Sequence, residues 1–189
     1  MKEKHYFENE VYSKEHVFKF EADKELLESI LKIKKKGKIL DLGCGEGGNS
    51  LSLASKGFNV TCIDISQKAI DAIKSESEKR ILKLNAVCAD IEKYKIDENY
   101  DIILLTGILH LVDKIKVKKI IELAKKRTCN NGLDIVDVFL DGSACQAGSE
   151  GHFFKKGEIL GYFDGWKVAK NEIYDEMGNR SQIVIFKKV

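Results

Sequence analysis

Three aspartates punctuate the first half of this chain, each at the end of a short apolar run. Asp41 stands in Ile39-Leu40-Asp41-Leu42, Asp64 in Cys62-Ile63-Asp64-Ile65 and Asp90 in Cys88-Ala89-Asp90-Ile91. A carboxylate is costly in an apolar segment unless something pairs with it. After the first run comes Gly43-Cys44-Gly45-Glu46-Gly47-Gly48-Asn49-Ser50, where glycines let backbone approach a ligand closely and reach positive φ. This set suits a nucleoside with a charged tail. Asp41 could bind an ammonium, directly or through water. Asp64 could accept both hydroxyls of a ribose, and Asp90 the 6-amino group of an adenine. The plainer alternative for each acid is a helix cap or a solvated loop carboxylate.

Gly43, Gly45 and Gly48 also satisfy G-x-G-x-x-G, the dinucleotide fingerprint, so NAD competes with S-adenosylmethionine (SAM). Asp64 fits both. Asp41 favours SAM, because its carboxylate would repel a pyrophosphate, which prefers a bare helix N-terminus. Asp90 also favours SAM, since a dinucleotide site needs no acid there.

The surrounding elements must put these residues on one edge. Short Ile- and Val-rich runs alternate with longer amphipathic ones, a strand–helix alternation. Strands are expected at 38–42, 59–65, 84–89, 100–106 and 133–140. Helices are expected at 14–33, 49–56, 67–79 and 114–127, with Gly57 closing the second and Ser66 and Asp113 capping the third and fourth. Asn130-Asn131-Gly132 reads as a turn and 156–162 as a short helix. Residues 166–174 and 181–187 form a closing hairpin about Gly178-Asn179. Such alternation predicts an α/β, doubly wound, mostly parallel sheet that closes with an antiparallel hairpin, and ligands of such sheets bind at the strands' carboxyl ends. With no linker or internal repeat, one domain over 1–189 is expected, with 1–36 as N-terminal segment and helix. Its aromatic stretch 6–20 is a lid or a packed edge.

Other residues could serve an acceptor of a methyl group. His110 follows the 100–106 strand, and histidine titrates near neutrality, so it is a candidate general base. His152, beside Phe153 and Phe154, could line the acceptor pocket. Arg180, after the hairpin turn, could hold an anion through a forked hydrogen bond. Each has a structural alternative: a packed histidine, a loop histidine and a solvated arginine. A sulfonium methyl is already activated, so positioning the nucleophile in a dry site could supply ~7–11 kcal/mol of the barrier reduction, and no triad is required.

Composition excludes other classes. A net charge of +2, from 32 basic and 30 acidic residues, gives no electrostatic case for nucleic acid or an anionic membrane. No apolar run approaches a membrane span, and no leader is seen. The five cysteines lie far apart without a C-x-x-C pair. No metal site is therefore expected, and a reducing, cytoplasmic setting is. The chain has no proline, which removes the Asn/Asp-Pro-Pro-aromatic signature of DNA amino-methylating enzymes.

The segment Ile39–Ser50 resembles motif I of the class I SAM-dependent methyltransferases, and Asp64 and Asp90 match that family's next acidic positions. Asp101–Leu111 resembles its fourth strand and following loop. The C-terminal third, with Phe154-Lys155-Lys156-Gly157-Glu158-Ile159, Gly165-Trp166-Lys167-Val168 and Gly178-Asn179-Arg180, is similar to the tellurite-resistance (TehB-like) methyltransferases, as is Asn49-Ser50-Leu51. Three features depart from that group. Gly48 stands where an Arg is common, the hairpin before Gly178 is shorter than expected, and a His-Arg pair of the hairpin has no counterpart. The resemblance implies a seven-stranded Rossmann-like methyltransferase fold that binds SAM and releases S-adenosylhomocysteine (SAH). Its cofactor contacts would be Asp41, Gly43, Cys44, Gly45, Asn49, Asp64, Ile65, Asp90, Ile91 and Thr106, the last beside the methionine or the methyl. The acceptor would be a small molecule, a chalcogen oxyanion or a thiol, and the enzyme a monomer or homodimer. An NAD-dependent oxidoreductase and a non-catalytic SAM-binding protein are the competing readings.

Overall fold

The computed structural model describes residues 20, 22–146, 151–176 and 178–189. The expected lid falls outside them except for Phe20, which sits in a turn with φ 54°. Among the described residues the first helix, α1, spans Lys24–Ile33; the earlier part of the helix expected over 14–33 lies, but for 20 and 22–23, outside the described residues. Asp23 is extended there, and its carboxylate accepts the Leu26 N–H at 3.0 Å, so the N-cap sets the start. Leu26 and Ile30, one turn apart, are its fully buried residues.

The chain divides into two compact units, Met1–Tyr94 and Lys95–Val189. In the first, β1 (Lys38–Leu42), β2 (Asn59–Asp64) and β3 (Leu84–Cys88) pair in parallel. The connecting helices are α2 (Gly48–Ser55) and α3 (Gln67–Lys79). Ile39, Leu40, Val60 and Ile63 are fully buried in the strands, as are Ile70 and Ile73 in α3. Gly57, at φ 91°, donates to the Ala54 carbonyl and ends α2, as expected. Ser66 caps α3 through the Ala69 N–H at 3.2 Å. The register puts Asp41 opposite Cys62 and Asp64 opposite Cys88, so successive strand ends carry the acids to one edge of this unit.

In the second unit, β4 (Tyr100–Thr106) and β5 (Thr128–Phe139) are parallel. Between them lie a 3-10 turn, Leu109–Leu111, and α4 (Lys114–Arg127), capped by Asp113 through the Ile115 N–H. The hairpin strands are β6 (Lys167–Glu176) and β7 (Asn179–Lys187), longer than expected. β7 runs antiparallel to both β5 and β6. The expected short helix is a 3-10 helix, Glu158–Phe163.

The expected turn at 130–132 is a bulge inside β5. Tyr100 pairs with Thr128, yet Ile102 pairs with Leu133, so two steps along β4 match five along β5. The turn chemistry was real: Asn131 is left-handed at φ 59°. A Cβ on Gly132 would lie 2.6 Å from Thr128 Cγ2 and 2.7 Å from the Cys129 carbonyl.

In sheet order the seven strands read β3-β2-β1-β4-β5-β7-β6. This is the mostly parallel sheet with an antiparallel closing hairpin that the strand–helix alternation predicts. Among the described residues no helix is long and apolar enough to cross a membrane, and no group of three or more His, Cys, Asp or Glu could hold a metal ion.

Candidate functional site

The turn after β1 folds onto the end of β2. The N–H groups of Gly43 and Cys44 both donate to the Ile63 carbonyl, at 2.8 and 3.0 Å. Gly43, Gly45 and Gly47 have φ of 77°, 55° and 79°. The glycines that the backbone requires therefore follow G-x-G-x-G. Gly48, assigned to the fingerprint on sequence grounds, is instead the first residue of α2. Gly47 is the left-handed N-cap of that helix, and a Cβ there would meet Ile73 Cγ1 at 2.7 Å. No side chain caps the helix at this end.

Asp41 is 2% exposed. Its Oδ2 accepts from Ser50 Oγ at 2.7 Å, whereas its Oδ1 is buried with no hydrogen-bond partner. Burial raises its pKa to about 6, with the Ser50 bond opposing and the Asp64 charge reinforcing the rise. Ser50 is a participant that sequence reasoning missed; its place in the first turn of α2, nine residues after Asp41, was the available signal. Asp64 is 7% exposed. Its Oδ2 accepts the Gly45 N–H and its Oδ1 the Ser66 N–H, both at 2.9 Å. These two amides fix the orientation of the carboxylate.

The other expected contacts have local duties. Asp90 Oδ1 accepts the Glu92 N–H at 2.9 Å, and Oδ2 pairs with the exposed Lys93 at 3.1 Å. The Ala89 N–H donates to the Asp64 carbonyl, joining the ends of β3 and β2. Asn49 Oδ1 accepts the Asp23 N–H at 3.0 Å and ties the entry of α1 to α2. Ile65 and Ile91 are half-buried. Burial, and then the neighbouring Cys62, push the Cys44 thiol well above its ordinary value, so it stays protonated and unreactive.

Residues of the second unit form a separate group. Thr106 ends β4 in register with Asp137, and the Gly107 N–H donates to the Asp137 carbonyl. His110 lies edge-on to Phe139 at 4.5 Å and tilted to Phe153 at 5.9 Å. Burial lowers its pKa to about 4, and its buried Nδ1 has no hydrogen-bond partner. It is a neutral imidazole at pH 7 and a weaker base than an unperturbed histidine. His152 Nε2 lies 3.1 Å from Glu158 Oε1, and its ring packs 4.4 Å from Phe154. Arg180 is exposed, and its backbone is anchored by Ser143, whose Oγ bonds both its N–H and its carbonyl.

In the first unit, then, a glycine turn brings two buried acids together, one with an unsatisfied oxygen. A positive group would satisfy Asp41 Oδ1, and the Asp64 carboxylate is an acceptor of the kind a diol needs. These residues fit an adenosyl group bearing an ammonium tail.

The sequence profile of the family described as tellurite resistance protein TehB matches residues 1–183. The probable S-adenosyl-L-methionine-dependent methyltransferase TehB of Haemophilus influenzae is 31% identical over 151 residues, 76% of this chain and 53% of that protein. The ubiquinone biosynthesis O-methyltransferase of Rickettsia canadensis is 27% identical over 152 residues, 77% of this chain and 58% of that protein. The chain thus spans about half the length of the curated relatives it matches. Among solved structures, TehB from Haemophilus influenzae matches with a TM-score of 0.80 at 27% identity, covering 98% of this chain and 67% of that one. The N-methyltransferase NodS of Bradyrhizobium japonicum, solved with SAH, also matches at 0.80, with 15% identity and 94% coverage of both chains; this is a likeness of fold.

Proposed function

The chain belongs to the family of the tellurite resistance protein TehB, and from that premise we propose that it is a SAM-dependent methyltransferase acting on a small acceptor, a chalcogen oxyanion or a thiol. The observation that carries the reading is the buried Asp41 with its unpartnered Oδ1, set beside the Asp64 carboxylate held by Gly45 and Ser66. Asp41 takes the ammonium end, Asp64 the ribose hydroxyls, and Ile65 and Ile91 flank the adenine, whose amino group Asp90 accepts. Thr106 serves the methionine end. When bound, SAM supplies a methyl already activated by its sulfonium, so no covalent enzyme intermediate is needed.

For an acceptor, the candidate residues are His110, His152 and Arg180. The Phe139 and Phe153 rings pack against His110, and its neutral imidazole orients the acceptor. His152 contributes a second nitrogen, and the exposed guanidinium of Arg180 suits an anionic acceptor. The five free cysteines support a reducing cytoplasmic setting. The G-x-G-x-G geometry and the acid at Asp41 weigh against a dinucleotide.

The test is SAH release from labelled SAM with selenite, tellurite or a small thiol as acceptor. Release above the acceptor-free rate is expected. Binding of SAH without release on any of the three would leave a SAM-binding protein, and binding of NADH in its place would favour the oxidoreductase.

A pH dependence follows from Asp41. Its folded pKa is raised to about 6, and a bound ammonium favours the ionised form. Ligand binding between about pH 4 and 6 should therefore release a proton. SAH affinity should be constant above about pH 6.5 and fall towards tenfold per unit below 6. Calorimetry across pH checks this, with Asp41→Asn expected to bind weakly and without that dependence.

A further inference from the structure

A second buried acid lies away from the candidate site. Asp134, on β5, is fully buried, with apolar Ile103 of β4 and Phe186 of β7 as its register partners. Its Oδ1 is hydrogen-bonded to Thr128 Oγ1, and its Oδ2 is buried without a partner. Thr128 Oγ1 also lies 2.9 Å from the Ala124 carbonyl at the end of α4. A hydroxyl carries one hydrogen, and a carbonyl oxygen has none to offer. If the threonine proton serves Ala124, the proton between Thr128 and Asp134 must come from the aspartate.

The charged groups around Asp134 do not neutralise it by contact. Lys188, beyond β7, and Lys125, on α4, are the ones that act on it. The Lys188 ammonium is committed to the carbonyls of Lys125 and Thr128, at 2.8 and 2.7 Å. That of Lys125 donates to the Tyr162 carbonyl at 2.6 Å and lies over the Phe163 ring. Among the described residues neither makes an ion pair with Asp134. An ionised carboxylate would leave charge on a buried Oδ2 that has no donor, whereas a neutral acid leaves an ordinary carbonyl there.

We propose that Asp134 is a neutral carboxylic acid in the folded protein, donating its proton to Thr128, and that its ionisation loosens the junction of α4 and β5 as pH rises. Its folded pKa is raised to about 7 by burial, against the opposing Thr128 bond and the two lysines. The unfolded chain releases this proton near pH 4. The stabilisation is thus fully present below about pH 4 and is lost as pH rises through about 7. Asp41 acts in the same sense up to about 6, and His110, whose folded pKa is lowered to about 4, in the opposite sense up to about 6.5, so the comparison with a variant lacking the Asp134 proton isolates its contribution.

The direct experiment is carbon NMR of the Asp134 side-chain carboxyl in the full chain. A titration midpoint near 7 is expected; a midpoint in the ordinary aspartate range would overturn the proposal. The second measurement is the urea midpoint of unfolding between pH 6 and 7.5. The midpoint of the native protein relative to that of Asp134→Asn, which keeps the shape without the proton, should fall with pH. Equal slopes in the two proteins would also overturn it. The NMR titration needs no variant, so a poorly folding Asp134→Asn leaves the decision intact.

Discussion

Gly47→Ala should destabilise the protein by about 2–5 kcal/mol and abolish detectable SAH binding. Two separate costs add. Gly47 holds φ 79°, where an L-residue costs roughly 1–2 kcal/mol. The new methyl would also press on Ile73 Cγ1 and Cδ1, at 2.7 and 2.9 Å. Ile73 is fully buried in α3, and overpacking of this kind costs about 1–3 kcal/mol. A double-mutant cycle with Ile73→Ala separates the terms. Relief of the clash should make the double variant less destabilised than the sum of the singles, by about 1 kcal/mol or more. Strict additivity would mean that only backbone strain matters. Urea unfolding reads the stability and calorimetry the binding. Gly48→Ala, one residue on and inside the helix, should be tolerated, and the contrast tests which glycine the turn needs.

Asp64→Ala should weaken SAH binding by about 100-fold. The carboxylate would accept two hydroxyls, each charge-assisted bond being worth about 1.5–3 kcal/mol, and a hundredfold corresponds to about 2.7 kcal/mol. The substitution also strips the acceptors from the Gly45 and Ser66 N–H groups, so a stability loss of about 1–3 kcal/mol should accompany it. Asp64→Asn retains one acceptor oxygen but turns an amide NH2 towards a backbone donor, so it should fall between. Unchanged SAH affinity in Asp64→Ala would remove the ribose role from this residue.

These two residues show what the sequence made legible. Asp64 stood out because a lone acid closing an apolar, β-branched run has few structural excuses, and in the structure it is a buried acid at the end of β2. The strands of the first unit were equally plain, each bounded by a turn residue or a cap such as Gly57 and Ser66. Gly47 was not legible. Gly47 and Gly48 are adjacent, and only backbone conformation tells the left-handed cap from the first helical residue. Asn130-Asn131-Gly132 signalled a turn correctly, but pairing on both sides of it absorbed that turn into β5 as a bulge, a tertiary outcome that local chemistry does not encode. Asp134 was hidden for a further reason. In Leu133-Asp134-Ile135-Val136-Asp137 the acids could alternate with apolar residues on either face, and only the fold shows that Asp134 is wholly buried. His110 was found by its place after β4, but its aromatic surroundings, and hence its low basicity, come from Phe139 and Phe153 far along the chain.

The account stands on an adenosyl cofactor seated against the Gly43–Gly47 turn, and a crystal structure of the protein with SAH tests this most directly. The expected density places the ribose hydroxyls on the Asp64 carboxylate and the amino-acid end towards Asp41. Density for SAH elsewhere, with the turn and both acids untouched, would contradict it.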